Sequence, residues 1–111
     1  MTSMQDNLRQ IGERLAGISE NCYHYWRAEK KFPCIIWQEN AESTELKADN
    51  EKAIQRISGA IDYFTGKEFD PVADEIQKLL DGMEAVTWSL NSVQYEDQTN
   101  LIHYEWLFEV W

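Results

Sequence analysis

Strict alternation of apolar and polar residues marks the C-terminal part of the chain, residues 86–111. Every second position from 102 onward is apolar: Ile102, Tyr104, Trp106, Phe108 and Val110. Successive side chains of a strand point to opposite faces of a sheet, so a period of two predicts a strand with one buried face. A similar run begins at Val86, and the polar residues 96–100 separate the two runs. The pattern predicts a long antiparallel hairpin with a bulge near Asn91 and Ser92.

Two other stretches have apolar residues at the spacing of three and four that an amphipathic helix requires. The first covers residues 4–18 and follows Thr2 and Ser3, either of which can cap a helix. The second begins at the dipeptide Asp70-Pro71, a capping residue followed by a residue that fits the first turn. Gly82 is placed to end this helix. The sequence therefore predicts two amphipathic helices, one at each end of the central region.

The central region has a weaker pattern. Residues 23–37 are aromatic at both ends and polar between, which predicts a hairpin. The acidic residues 38–52 are predicted to form an exposed excursion, with a short strand around Leu46. Residues 54–65 have apolar spacing that suits a helix, but Gly59 and the β-formers that follow it favour a long strand with a bulge or bend near Gly59.

This order of elements, α-β-β-(β)-β-α-β-β, predicts one α+β domain over residues 1–111. We expect a two-layer sandwich, in which a mainly antiparallel sheet carries both helices on one face. A chain of this length has room for one modest core.

The charge of the chain excludes some partners. Its 20 acidic residues against 10 basic residues give a formal net charge of −10, which repels phosphate backbones. We expect no sequence-specific nucleic acid and no membrane partner, because no stretch has the ~20 apolar residues that cross a bilayer. With no signal peptide at its start, the chain is predicted to be cytoplasmic, where Cys22 and Cys34 are free thiols that serve packing.

The sequence shows no catalytic, cofactor or metal site. It lacks the nucleophile-elbow, phosphate-loop, dinucleotide and zinc-protease motifs. Cys22 and His24 would share one strand face about 7 Å apart, too far for a direct hydrogen bond. His24 is predicted to be an ordinary strand residue without a partner. We therefore expect no enzyme, no cofactor and no small-molecule substrate.

Surplus apolar surface is the feature that the sequence does display. If the even-numbered residues of 102–110 face the helices, Leu101, Leu107 and Trp111 lie on the opposite side of the sheet. A two-layer domain covers one sheet face only, so these three residues are candidates for an oligomer interface. The alternatives are that a third layer or the acidic excursion covers them, or that Trp111 frays at the terminus.

The residues 61–65, the Asp70-Pro71 helix start, the run Trp88-Ser89-Leu90 and the closing aromatic hairpin resemble small proteins of phage and prophage tail modules. The resemblance is to the tail terminator or tail-completion (tail-to-head joining) group, also called minor tail or minor capsid proteins. It covers the order of elements over nearly the whole chain and is most specific over residues 53–88.

This resemblance implies a non-enzymatic α+β subunit that forms a homo-oligomer, commonly a hexameric ring, at the head-proximal end of the tail tube. Its expected partners are other copies of itself, the tail-tube protein and the head-connector proteins. It would be cytoplasmic during assembly and then part of the virion. Some ring subunits of this group grip their neighbours with a long arm, for which residues 38–52 are the one candidate here.

Two other functions stay open at this point. An acidic regulatory or inhibitory protein could mimic the charge of DNA, if the carboxylates of residues 39–51 and of Glu96 and Asp97 share one face. A small enzyme would need a deep pocket lined by convergent polar groups.

Overall fold

The computed structural model describes residues 3–43 and 55–111, which form an α+β fold with a five-stranded sheet and two helices on one of its faces. The predicted fold class is confirmed. Along the chain the elements are α1 (Met4–Ala16), β1 (Cys22–His24), β2 (Cys34–Glu42), β3 (Ile57–Thr65), α2 (Pro71–Asp81), β4 (Val86–Glu96) and β5 (Leu101–Val110). The strand order in the sheet is β1-β2-β3-β5-β4, so β1 and β4 are its edges.

Both helices begin with the predicted caps. The Ser3 hydroxyl accepts a hydrogen bond from the Asp6 backbone N–H, and the Asp6 carboxylate accepts one from the Ser3 N–H in return. This capping box satisfies two of the backbone donors that the first turn of α1 leaves open. Asp70 caps α2, Pro71 occupies its first position, and Gly82 ends it.

The core lies between the helices and one face of the sheet. β5 is an interior strand that pairs antiparallel with both β3 and β4, and the alternating pattern of residues 102–110 directs one of its faces into the core. Trp106, Phe108 and Val110 are fully buried there against apolar residues of α1 and α2. A second, smaller cluster lies on the other face and consists of Cys34, Ile36 and Phe64.

The predicted hairpin over residues 23–37 is wrong. β1 and β2 pair in parallel, with Cys22 opposite Ile35 and His24 opposite Trp37. Tyr25 has a φ of 74°, in the left-handed region, so the chain turns sharply as it leaves β1. Trp26 and Phe32 of this connection pack edge-on against Phe64, so it passes over the sheet face that the helices leave uncovered.

The end of β2 and the position of a bulge also differ from the sequence prediction. β2 continues to Glu42, past Trp37 and into the predicted excursion. The irregularity expected at Gly59 lies instead in β2, where Asn40 is the extra residue between the pairs of Glu39 and Ala41. Gly59 itself is required because a Cβ there would overlap the Gln38 carbonyl oxygen and the Phe108 ring. The short strand around Leu46, and most of the candidate arm, lie outside the described residues.

The hairpin of β4 and β5 has the predicted bulge at Asn91, where the register shifts between Leu90 and Ser92. Its strands have 11 and 10 residues, whereas α2 has 11 residues. Because a strand rises about twice as far per residue as a helix, roughly 36 Å against 17 Å here, the helix covers only part of the hairpin. The molecule is accordingly elongated, measuring 50 × 25 × 25 Å.

Candidate functional site

An exposed apolar surface runs along β4 where α2 no longer covers it. Leu90, Val93 and Tyr95 are 45%, 50% and 59% exposed and continue the sheet face that carries the core residues Val86 and Trp88. We call these three residues the hairpin strip. Apolar side chains of this size on one strand face are typical of a surface that another protein covers.

The helix that stops short of the hairpin strip is held in place by two tryptophans. The Trp106 indole N–H donates to the Gln77 side-chain oxygen, and the Trp88 indole N–H donates to Asp81, each at 3.0 Å. These bonds fix α2 across the middle and one end of the hairpin. The other end of α2 begins over β3, where its cap Asp70 bonds Tyr63 and Thr65, so the part of β4 nearer the turn lies to the side of the helix.

The strand that carries the hairpin strip is an edge of the sheet. β4 pairs with β5 on one side, and no strand among residues 3–43 and 55–111 pairs with its other side. An 11-residue edge strand presents a row of backbone donors and acceptors that a further chain can extend. The open edge and the hairpin strip therefore belong to the same surface.

The predicted interface residues Leu101, Leu107 and Trp111 do not form one patch. Leu101 is partly buried against the cluster of Cys34, Ile36 and Phe64, whereas Leu107 is exposed on the same sheet face. Leu101 and Leu107 are six positions apart, which separates them by about 20 Å along β5. Trp111 is partly buried at the end of the sheet, where its backbone N–H donates to the Ala85 carbonyl.

Trp111 also has a cationic neighbour. The Arg56 guanidinium lies 4.7 Å from the centre of its ring, a cation–π contact. The carbonyl oxygen of Trp111 accepts a hydrogen bond from the Asn7 side-chain amide of α1. The C-terminal residue is thus tied to two other elements of the fold.

The sequence did not predict a polar group of three side chains, His24, Tyr25 and Glu39, at the β1 edge of the sheet. The His24 ring stacks between Tyr25 and Trp37, and its Nε2 lies 2.8 Å from Glu39 Oε1. The Tyr25 hydroxyl donates to the second oxygen of the same carboxylate. Burial works to raise the pKa of Glu39, but the hydrogen bonds from His24 and Tyr25 outweigh it and lower that pKa. His24 therefore has the partner that its sequence surroundings did not reveal.

This polar group lies in a groove of about 500 Å³ between α1 and the edge of the sheet. Arg9, Glu13 and Cys22 also line the groove, which is open to solvent along α1. Burial, and secondarily the nearby Cys34, raises the pKa of the Cys22 thiol to about 11, which opposes a role as nucleophile. Within the described part of the chain, no cluster of three or more metal-ligating side chains occurs.

A second histidine occupies the sheet face away from the helices. His103 stacks on Phe64, and its two ring nitrogens face the carboxylates of Asp62 and Glu96. The hydrogen bond to Asp62 raises the pKa of His103, against the opposing effect of burial. The ring thus joins three strands, with Phe64 and Asp62 on β3, His103 on β5 and Glu96 on β4.

Neither a protein-family model nor a curated protein sequence matches this chain. No helix in residues 3–43 or 55–111 combines the length and the apolar composition that crossing a bilayer takes.

Proposed function

We propose that this protein is a non-enzymatic structural subunit that assembles with copies of itself, as a phage or prophage tail terminator or tail-completion ring does. The observation that carries the proposal is the hairpin strip on an open 11-residue edge strand. A surface that is both apolar and able to extend a sheet is suited to repeated contacts between subunits. The sequence resemblance to phage tail proteins supplies the biological setting.

The hairpin strip is too small to hold two subunits together by itself. Fully burying one large apolar side chain contributes roughly 1.5–3 kcal/mol, and the side chains of the hairpin strip are already about half-buried. Three of them therefore contribute roughly 3 kcal/mol, less than the 4–15 kcal/mol that association costs in lost freedom. A stable assembly must add further contacts, either charged or along the strand edge.

The polar clusters of the molecule support a structural role over an enzymatic one. The imidazole of His24 is hydrogen-bonded to the carboxylate of Glu39, and that of His103 to the carboxylate of Asp62. Each pair is also packed against an aromatic ring of the same chain. These contacts give both histidines a role in holding strands together that requires no substrate.

The alternative, an acidic protein that mimics DNA, receives less support. Glu39 lies on the helix side of the sheet and Glu96 on the opposite side, each beside a histidine. Carboxylates on opposite faces do not form the single charged surface that a basic partner would require. Of the other carboxylates in this segment, Glu42 ends β2, whereas Glu45, Asp49 and Glu51 lie outside the described residues.

Sedimentation velocity over a range of protein concentrations tests self-assembly. We expect the wild-type chain to form discrete oligomers, which negative-stain electron microscopy would show as rings. Replacing Val93→Ser and Tyr95→Ser should shift the protein to monomer, because it removes the apolar part of the contact. The matched control is Leu107→Ser, an exposed leucine on the other sheet face, which should leave the oligomer unchanged. A wild-type protein that stays monomeric at millimolar concentration would contradict the proposal.

The tail-specific part of the proposal needs a separate test. The chain would be purified together with the products of the genes that flank its own. A tail-tube protein among them should end its tubes at a defined length when this chain is added, and electron microscopy would measure that length. Flanking genes without tail or head components would leave self-assembly intact but remove the phage setting.

A further inference from the structure

The connection between β1 and β2 has a charge opposite to that of the rest of the molecule. Residues 25–32, which we call the basic loop, contain three basic residues and one acidic residue. The remaining chain contains 7 basic and 19 acidic residues. The loop is also aromatic, with Tyr25, Trp26 and Phe32 all exposed by nearly half or more.

The cations of the basic loop are arranged over aromatic rings. The Lys30 ammonium lies 3.7 Å from the centre of the Trp26 ring and 5.9 Å from that of Phe32. The Arg27 guanidinium lies 5.4 Å from the centre of the Tyr23 ring. Within the described residues, neither cation nor Lys31 forms an ion pair with a carboxylate. The loop therefore presents cations and aromatic rings together, still available to a carboxylate from outside.

The basic loop and the hairpin strip lie on opposite sides of the sheet. Trp26 and Phe32 pack edge-on over Phe64, on the face away from the helices and towards the β1 edge. The hairpin strip faces the helix side at the β4 edge. A subunit whose loop rests on the hairpin strip of its neighbour leaves its own hairpin strip free for the next subunit.

The hairpin strip has acidic neighbours that match the loop. Asp97 is exposed in the turn that follows β4, and Glu68 is exposed beside the basic Lys67 in the loop before α2. The two loops are adjacent, because a Cβ on Gly66 would lie 3.9 Å from the Asn100 carbonyl oxygen. Phe69, in the same loop, is 87% exposed. This end of the hairpin thus combines apolar and acidic side chains where the basic loop combines aromatic and basic ones.

We propose that the basic loop of one copy binds the hairpin strip of the next copy together with the adjacent carboxylates of Asp97 and Glu68. This inference rests on the proposed self-assembly and adds the surfaces that meet. The contact is heterologous, since two different surfaces of the chain are joined, and it repeats from subunit to subunit until a ring closes. Charge complementarity supplies the contribution that the hairpin strip alone lacks.

A second copy fits the loop better than a nucleic acid or a membrane does. Both of those surfaces are anionic, and the net charge of −10 opposes their approach to the molecule as a whole. Another copy offers carboxylates beside apolar side chains at one place, which matches the cations and rings of the loop. Its own net charge adds a general repulsion that salt screens, so moderate salt should favour assembly over very low salt.

Two blocked variants test the inference. The loop variant carries Lys30→Glu and Lys31→Glu, and the strip variant carries Val93→Ser and Tyr95→Ser. Each alone should be monomeric in sedimentation velocity, because each has lost one of the two surfaces. Mixed in equal amounts, they should form a 1:1 dimer that grows no further, since the intact loop of one variant meets the intact hairpin strip of the other. Circular dichroism and thermal unfolding check that each variant is folded.

The outcomes separate this inference from the proposed function. If the wild type assembles and the loop variant assembles equally well, the docking surfaces are wrong while self-assembly stands. If the two variants stay monomeric when mixed, the contact is not heterologous. A wild-type protein that never assembles overturns both proposals. Lys78→Glu, a charge reversal outside the loop on the exposed side of α2, is the control and should assemble like the wild type.

A membrane role of the loop has its own readout. Flotation with vesicles of phosphatidylcholine and phosphatidylserine would detect it. Binding of the wild type that the loop variant loses, with assembly unchanged, would assign the loop to a lipid surface and overturn the inference. Absence of vesicle binding together with a 1:1 mixed dimer supports it.

Discussion

The Nε2 atom of His103 lies 2.7 Å from the Asp62 carboxylate, on the sheet face that the helices leave open. Both side chains are less than one quarter exposed, so solvent screens this pair less than it screens a surface ion pair. The pair links diagonal positions of β3 and β5, since Asp62 lies opposite Glu105 and His103 lies opposite Phe64. The stability of the fold should therefore depend on whether the His103 ring is protonated.

The stability contributed by His103 should decrease as the pH rises. Its pKa is raised above the ordinary value of 6.5, chiefly by the hydrogen bond to Asp62, so the folded state holds the proton more tightly than the unfolded state does. The contribution is complete below about pH 6.5 and is lost as the pH rises through the folded-state pKa. His103→Gln should cost about 1 kcal/mol at pH 6 and less at pH 9, as measured by urea unfolding. A cost that is constant with pH would mean that the ring contributes only by stacking on Phe64.

Removing the Asp70 carboxylate should destabilise the protein by about 2–4 kcal/mol. Asp70 accepts hydrogen bonds from the buried hydroxyls of Tyr63 and Thr65, at 2.8 and 2.7 Å, and from the backbone N–H of Val72. Asp70→Ala removes the cap of α2 and leaves both hydroxyls without this acceptor. The matched control is Asp74→Ala, an exposed carboxylate in the same turn, which should cost less than 1 kcal/mol. Equal costs for the two variants would contradict this account.

The same carboxylate should make the fold sensitive to acid. Burial works to raise the pKa of Asp70, but the hydrogen bonds from Thr65, Val72 and Tyr63 outweigh it and lower the pKa below the ordinary 3.8. The stability that it contributes is present above that pH and is lost as the pH falls through the folded-state pKa. The difference between wild type and Asp70→Ala in chemical unfolding should therefore shrink below pH 4. A difference that persists unchanged at pH 2 would show that the carboxylate charge is not involved.

The elements whose signals are local were predicted well from the sequence. Both helices have caps and periodicity within a few residues, and the β4–β5 hairpin has two alternating runs beside one turn. The pairing of β1 with β2 depends instead on the path of the connection, which turns at Tyr25 with a positive φ. No apolar pattern records that turn, so the parallel register could not be predicted.

The candidate surfaces likewise divide into features with a local sequence signal and features that depend on contacts between distant segments. The apolar residues of the hairpin strip belong to the alternating run that begins at Val86, but their exposure depends on α2 reaching β4 only at Trp88. His24 and Glu39 are 15 residues apart in the sequence, and only the parallel pairing of β1 with β2 brings them together. Leu101 was correctly placed on the face away from the helices, but its burial depends on the cluster around Phe64. Contacts between distant segments thus account for most of what was missed.

Both thiols should react slowly in the folded protein. Burial raises the pKa of Cys34 to about 11, and burial followed by the effect of Cys34 does the same for Cys22. At pH 8 the reactive thiolate is then roughly one part in a thousand of each. Iodoacetamide labelling followed by mass spectrometry should modify Cys34, which is fully buried, only as fast as the protein unfolds. The Cys34→Ser variant gives the rate of Cys22 alone, and rapid double labelling of the native protein would contradict the burial of Cys34.

Gly12 should be intolerant of any side chain because α1 packs directly on a tryptophan. A Cβ at this position would overlap the ring of Trp37, which is itself buried between the helix and the sheet. Replacing glycine by alanine within a helix normally stabilises it by about 1 kcal/mol, but here the overlap should reverse the sign and cost about 1–3 kcal/mol. Gly82→Ala is the matched control: its φ is −83° and its Cβ would meet the Lys78 carbonyl at an ordinary 3.5 Å. Thermal unfolding should therefore separate the two variants, with Gly12→Ala melting lower than wild type and Gly82→Ala unchanged or higher. A stabilised Gly12→Ala protein would mean that α1 can move away from Trp37 without loss, and that the core does not fix the position of this helix.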